Sequence, residues 1–218
     1  MPAADPAASS RYHHGDLPRA LKAAAVELIT EKGAAGFSLR EVARRAGVSH
    51  AAPTHHFGDS AGLLTALAEE GFRYLHAALV ESAEGATSAA DRLVRIARAY
   101  VSVAHDHPAH CAVMFRADLI RRDDPGCREW GDKAYQELAS GLEALRDEEG
   151  SNLDVGEAAG LCWSTMQGLV VLYPGMVERE IKHATEAGAE GYRPESIEDR
   201  AERYGYLLLA GLSRSRGA

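Results

Sequence analysis

Phe37-Ser38-Leu39-Arg40-Glu41-Val42-Ala43-Arg44-Arg45-Ala46-Gly47-Val48-Ser49-His50-Ala51-Ala52-Pro53-Thr54-His55-His56-Phe57 reads as two short helices joined by a tight turn. Ser38 and Glu41 have the spacing of a capping box, and Phe37 and Val42 that of a hydrophobic staple. Leu39, Val42, Ala43 and Ala46 share one helical face. Gly47 stands where a left-handed glycine stops a helix. Ser49 is placed to cap the next helix, and Pro53 falls at the edge of its first turn, where a missing N–H costs little. Val48 and Phe57 anchor this second helix, and His50, Thr54, His55 and His56 are its polar content. Two helices so joined place the second in the major groove of a DNA duplex.

The run from Tyr12-His13-His14-Gly15-Asp16-Leu17 through Phe57, continuing to Leu63-Leu64-Thr65-Ala66-Leu67, resembles the N-terminal domain of the tetracycline-repressor (TetR) family. The resemblance covers about residues 11–75; the remainder is similar in architecture only. It implies an all-α chain: a three-helix DNA-binding domain, then a helical domain that binds a ligand and forms the dimer. Two departures stand out. A Tyr that often touches the operator is common where this chain has Thr54. A Lys that usually holds a phosphate is common at the start of the fourth helix, where this chain has Ser60 after Asp59. Weight therefore moves to His55 and His56.

The rest of the chain also reads helical, with about nine helices and Gly or Pro at sensible ends. Residues 1–10 are Ala/Pro/Ser-rich and read as a disordered tail, not a secretory signal. The DNA-binding domain spans 11–60 with its motif at 38–57, a connecting helix 61–82, and the second domain 83–218. The first helix runs from 16 or 17 to 32, the fourth from 59 or 60 to about 82. Five more are expected at 89–106, 108–120, from 124–125 onward, at 154–173 ended by Pro174-Gly175, and from 196 to about 213. Residues 178–194 are Gly- and charge-rich and read as a long loop or frayed helix.

Of 218 residues, 46% are hydrophobic and 26% charged, the balance of an ordinary globular protein. No run approaches 18 apolar residues, so no membrane span is expected and the location is cytoplasmic. The net charge of −8 is unevenly spread. Residues 11–57 hold seven Lys/Arg against four Asp/Glu, with five histidines, so a slightly basic head sits on an acidic body. Cys111, Cys127 and Cys162 are odd in number and scattered, which argues for a reducing compartment and against zinc.

In the head, Arg40 is placed to reach a base edge, and Arg44 and Arg45, one turn on, to reach phosphate. Ser38, Ser49, His50, Ala51, Thr54, His55 and His56 complete the expected DNA-binding set; His56, beside Phe57, reads equally as a buried, satisfied histidine. The arm Arg11-Tyr12-His13-His14 reaches the minor groove or a flanking phosphate, or is unstructured. In the body, His110, Met114, Phe115, Trp163, Met166, Gln167 and Tyr173 are the expected lining of a ligand pocket, mostly apolar and suited to an apolar or aromatic molecule. His105, His107 and His110 mimic a metal cluster, but Asp106-His107-Pro108 reads as a helix corner that points them apart; neither metal nor cofactor is expected. One branch of the family carries Trp-x-x-x-His-Gly in the eighth helix and His-Pro at the start of the sixth. This chain is similar in His107-Pro108 and Trp163-Ser164-Thr165-Met166-Gln167-Gly168, with Gln167 in place of the His.

A small-residue stripe, Gly156, Ala159, Gly160 and Trp163, and the face Tyr204, Leu208, Gly211, Leu212 are the expected homodimer interface. The resemblance implies a four-helix contact there, packed near one of the preferred helix crossing angles. A dimer is needed in any case, because one short helix reads too few base pairs. These readings converge on a regulator, a repressor that leaves a near-palindromic operator when a small molecule enters the body. The alternatives are an all-helical enzyme using His110, Cys111 and Asp118, with no nucleophile–base spacing behind it, and a regulator without ligand or triggered by oxidation of Cys111 or Cys162.

Overall fold

In α1 (Leu17–Lys32), the residues at helical spacing Leu21, Ala24, Ala25, Leu28 and Ile29 are buried as one stripe. The computed structural model describes residues 17–214, and nine α-helices and one short 3-10 turn are found among them. The arm residues Arg11, Tyr12, His13 and His14 lie outside the described residues.

The helix-turn-helix is α2 (Leu39–Arg45) and α3 (Ala51–Phe57). Val42 and Ala43 bury α2 against the head's core, and Pro53 docks α3 there, fully enclosed. Gly47 has φ +67°, and the N–H of Val48 donates to the Ala43 carbonyl, so the turn needs a residue without a β-carbon. Two caps differ from expectation. Ser38 has the extended backbone of a cap but its side chain makes no cap bond, and Glu41, its expected reciprocal partner, is drawn instead to Arg44 and Arg45. Ser49 contributes only its carbonyl, to the N–H of Ala52, and α3 begins two residues later without a side-chain cap.

α4 (Ser60–Ala83) starts one turn after the recognition helix, capped by Asp59, whose carboxylate accepts from the Gly62 N–H at 2.8 Å. It is the central column: Leu63, Leu64, Leu67, Ala68, Gly71, Leu75 and Leu79 are buried along it. It packs against α1 and α3 in the head and against α5 (Ala89–Asp106), α6 (Pro108–Met114) and α7 (Pro125–Glu149) in the body. α8 (Val155–Glu186) and α9 (Ile197–Arg214) close the far side, α9 chiefly on α5. Ser88, Asp124 and Asp154 cap α5, α7 and α8 with side-chain bonds to first-turn N–H groups. No helix among the described residues is long and apolar enough to cross a membrane.

Two helices differ from the sequence reading. α6 ends at Met114 rather than near Ile120; Arg116 closes a fork onto Asp118 at 2.7 and 2.8 Å, and residues 115–124 become turns. α8 does not stop at Pro174 but runs through it to Glu186, which shortens the expected loop to 187–196. A proline inside a helix forfeits one backbone bond. Long-range contacts hold the extension: Arg200 of α9, only 3% exposed, reaches Glu180 at 2.9 Å and Glu195 at 3.3 Å, and the Tyr173 hydroxyl donates to the Glu195 carbonyl.

Candidate nucleic-acid interface and ligand cavity

The outer face of the helix-turn-helix carries almost all of the residues picked out for DNA. Ser38, Arg40, Arg44, Ser49, His50, Ala51, Thr54, His55 and His56 are exposed. His56 is therefore not a core histidine; its ring stands edge-on to that of His55. The three arginines are not equivalent. Arg44 is gripped by Glu41 at 2.7 and 2.9 Å, and this contact first of all holds the Glu41 carboxyl down to about 2. Arg45 is half-buried and bonded to Glu31 at 2.5 and 2.8 Å, with Glu41 at 3.4 Å. Arg40 has no partner among the described residues. It is the one arginine of α2 whose guanidinium is wholly available to a ligand, whereas Arg44 and Arg45 must share theirs with carboxylates.

An apolar cavity lies between α4, α5, α7, α8 and α9. Trp163 and Met166 line it as expected, together with Leu79, Leu93, Ile96, Ala97, Tyr100, Leu138, Cys162, Gly205, Leu208 and Leu209. Its volume is about 40 Å³, the room of a water or two. Gln167 is not in the lining; its side-chain oxygen accepts from the Tyr100 hydroxyl at 2.5 Å, and burial pushes the Tyr100 phenol up. The other expected lining residues are elsewhere. Met114 and Phe115 face a separate open groove of about 430 Å³ with Phe72, Cys127, Arg128 and Tyr135, and Trp163 is the wall common to both spaces. His110 is buried at the α4–α6 junction with Nε2 3.7 Å from Glu70, and Tyr173 serves the Glu195 contact. The walls contributed by α5 were absent from the sequence reading, and Leu208 was assigned there to the dimer. Their only signal was apolar periodicity, which core and pocket share.

His110, Cys111 and Asp118 do not assemble into a catalytic set. His110 faces Glu70, the Cys111 thiol points to the Val103 carbonyl, and Asp118 is exposed and bound to Arg116. Burial pushes the thiols of Cys111, Cys127 and Cys162 up to about 11, so all three are thiols, not thiolates, at neutral pH. The His107 ring stacks on Tyr74 at 4.3 Å, and no group of potential metal ligands occurs among the described residues.

Large apolar side chains of α8 and α9 point outward with nothing over them among the described residues. Gly156 and Gly160 are exposed, and a β-carbon on Gly160 would meet nothing within 4 Å. Leu161, Val171 and Leu172 on α8 and Tyr206 and Leu207 on α9 are exposed too; Val171, Leu172 and Leu207 are 66, 62 and 64% exposed. The expected interface set is split by the fold. Gly156, Gly160 and Gly211 lie on this surface, and Tyr204 and Leu212 are half-buried at the core's edge. Ala159 is fully buried within the protomer and turns away from any partner, a correction that one residue of helical phase explains. Trp163 and Leu208 belong to the cavity wall.

The family model for bacterial regulatory proteins of the tetR family matches residues 21–67, and that for a tetracyclin repressor-like C-terminal domain matches 93–175. A solved structure of a protein of unknown function from Rhodococcus sp. RHA1 is 31% identical, with TM-score 0.71 over 94% of this chain and 100% of that one. The chain belongs to the tetR family of regulators. The same fold recurs at lower identity. PfmR, a TetR family transcriptional regulator from Thermus thermophilus, is 23% identical with TM-score 0.66, over 90% of this chain and 100% of PfmR. FadR, a fatty acid degradation regulator from Bacillus halodurans, is 17% identical with TM-score 0.65, over 89% of this chain and 95% of FadR. No curated protein matches this tetR-family regulator.

Proposed function

We propose that this regulator binds a near-palindromic operator as a homodimer, represses from it, and leaves it when a small apolar or aromatic molecule enters the body. The observation that carries the DNA half is the outward set on α2 and α3, with Arg40 unpaired among the described residues beside a recognition helix that buries Pro53 and presents His50, Thr54 and His55. Arg is the commonest bidentate partner of guanine. Arg40→Ala is expected to cost about 1–3 kcal/mol on the preferred duplex and to relax preference at one base pair. The measurement is gel shift on duplexes enriched from a random-sequence pool by the wild-type protein. Unchanged base preference in Arg40→Ala would remove Arg40 from base readout.

The ligand half rests on the size of the cavity. Pockets that enclose small molecules measure roughly 300–1,000 Å³, and this one is about 40 Å³. A ligand between α5 and α8 must therefore push its walls apart, and so it favours a conformation other than this one. That differential affinity is the only means by which a ligand shifts an equilibrium. Leu79 on α4 is part of the wall, and the same helix begins beside α3. The nineteen helical rises from Ser60 to Leu79 span roughly 29 Å. A tilt of about 5° pivoting at Leu79 would then carry the recognition helix by ~2.5 Å on that lever. Trp130 is half-buried between Arg73 and Lys133, outside the hydrophobic core, so Trp130→Phe leaves Trp163 as a single reporter without opening the core. Titration of that variant with a library of aromatic and aliphatic compounds should change Trp163 emission for those that release DNA. A releasing compound that leaves the emission flat would place the effector outside this cavity.

A further inference from the structure

Between Arg45 and Arg73 the chain has no lysine or arginine, so neither α3 nor the first turns of α4 carry a cation of their own. The side chain at the corner between them is an acid, Asp59, exposed and ionised; the Gly62 N–H, then Arg121, hold its carboxyl below the usual range. An α-helix about 10–12 Å across fills a major groove about 12 Å wide, so the chain that leaves the groove after a seated recognition helix, here the exposed Gly58-Asp59-Ser60 corner, passes beside a phosphate backbone. A lone carboxylate there repels the DNA backbone.

The fold brings a cation to this corner from 62 residues away. Residues 115–124 fold back onto the start of α4: the Arg121 N–H donates to Thr65 Oγ1 at 2.9 Å, the Cys127 thiol donates to the Thr65 carbonyl at 3.3 Å, and Ile120 is buried between. With its backbone so fastened, Arg121 extends to Asp59, Nη2 to Oδ2 at 2.9 Å, and lies 3.8 Å from the β-position of Gly58, the residue that follows α3. Its side chain is 50% exposed, and Nη2 is the only guanidinium nitrogen with a partner among the described residues.

We infer that Arg121, a residue of the ligand-binding body, contacts a DNA phosphate beside the C-terminal end of the recognition helix. Nη2 stays on Asp59, which orients the fork, and the remaining donors meet the phosphate, as a guanidinium does best. The inference rests on the DNA-binding reading above. It gives the body a direct hold on the DNA, which movement of the 115–124 segment would withdraw without displacing α3.

The test compares Arg121→Gln with Asp59→Asn on a duplex enriched by the wild-type protein, with affinity followed against salt. Asn caps helices as well as Asp, so Asp59→Asn keeps the Gly62 bond through its one oxygen; its amide NH2 then stands where the second oxygen accepted from Arg121, which removes the repelling charge and releases the guanidinium. Arg121→Gln should weaken binding on the order of tenfold per protomer, the loss of a hydrogen bond to a charged group. It should also flatten the salt slope by about one unit per protomer. Asp59→Asn should bind at least as tightly as wild type with the slope unchanged. Circular dichroism and thermal denaturation should find both variants folded, since the Thr65 contact uses the Arg121 backbone. If both variants weaken binding alike at unchanged slope, Arg121 only pins the corner and the assignment falls. It falls also if Arg121→Gln matches wild type. A wild-type protein that enriches and binds no duplex would overturn the regulator reading itself.

Discussion

Gly62→Ala is expected to destabilise the protein and abolish specific DNA binding together, although alanine is the better helix former. Gly62 lies in the first turn of α4, and a β-carbon there would fall on the carbonyl oxygen of Phe57, the last residue of the recognition helix. Two effects compete. Glycine to alanine inside a helix gains about 1 kcal/mol in propensity. Overpacking typically costs about 1–3 kcal/mol, and more where the obstacle cannot move aside. Here the obstacle is backbone, fixed by the bond from the Asp59 N–H to the same Phe57 oxygen at 3.0 Å. The clash should win, and the only relief is to swing α3 away from α4. Chemical denaturation should therefore show a net loss of about 1–2 kcal/mol, and gel shift should show lost preference for the enriched duplex. A variant with wild-type midpoint and wild-type specificity would mean that the α3–α4 corner does not set the recognition helix.

That corner also marks how far the sequence alone is informative. Helix ends written in local chemistry were legible: the stop of α1 before Gly33 and the starts of α4 at Asp59-Ser60, α5 at 89, α7 at Asp124-Pro125 and α8 at Asp154 are set by residues within one turn of their own helix. Features decided at a distance were not. α8 continues past Pro174 because Arg200, on another helix, holds Glu180 and Glu195. The capping box fails at Ser38 because two arginines outcompete the cap for Glu41. Arg121 reaches Asp59 across a separation that no local pattern reveals. The candidate site divides along the same line. The outward residues of α2 and α3 follow from helical phase within a short motif, whereas the cavity wall takes Leu93 and Tyr100 from α5 and Leu208 from α9, positions whose apolar character serves a plain core equally well.

The second large effect concerns assembly. Gly160→Leu should leave the protomer intact and break the pair. Within one chain the substitution is harmless: a β-carbon at this position meets nothing within 4 Å, and its φ is not in the left-handed region. Leucine is the better helix former by about 0.8–1 kcal/mol, so the isolated protomer should be as stable as wild type or slightly more so. Any loss must then come from what covers this surface. Gly156 and Gly160 leave a low floor on α8, Val171 returns to the same helical face about three turns on, and Leu161 and Leu172 on α8 and Tyr206 and Leu207 on α9 are exposed as well. Small residues let a second helix approach closely, and the exposed large ones supply the apolar area that a two-fold contact hides. A leucine on that floor props the partner helices apart. On the homodimer proposed above, the two recognition helices engage half-sites about one helical turn apart, so dissociation should remove the gain of linked binding, roughly 10²–10⁴-fold in affinity. Light scattering at micromolar concentration should report the monomer mass, with the helical signal and the thermal midpoint of the protomer retained. If Gly160→Leu still scatters as a dimer, the partner sits on another face, and the exposed Val171, Leu172 and Leu207 need a different cover.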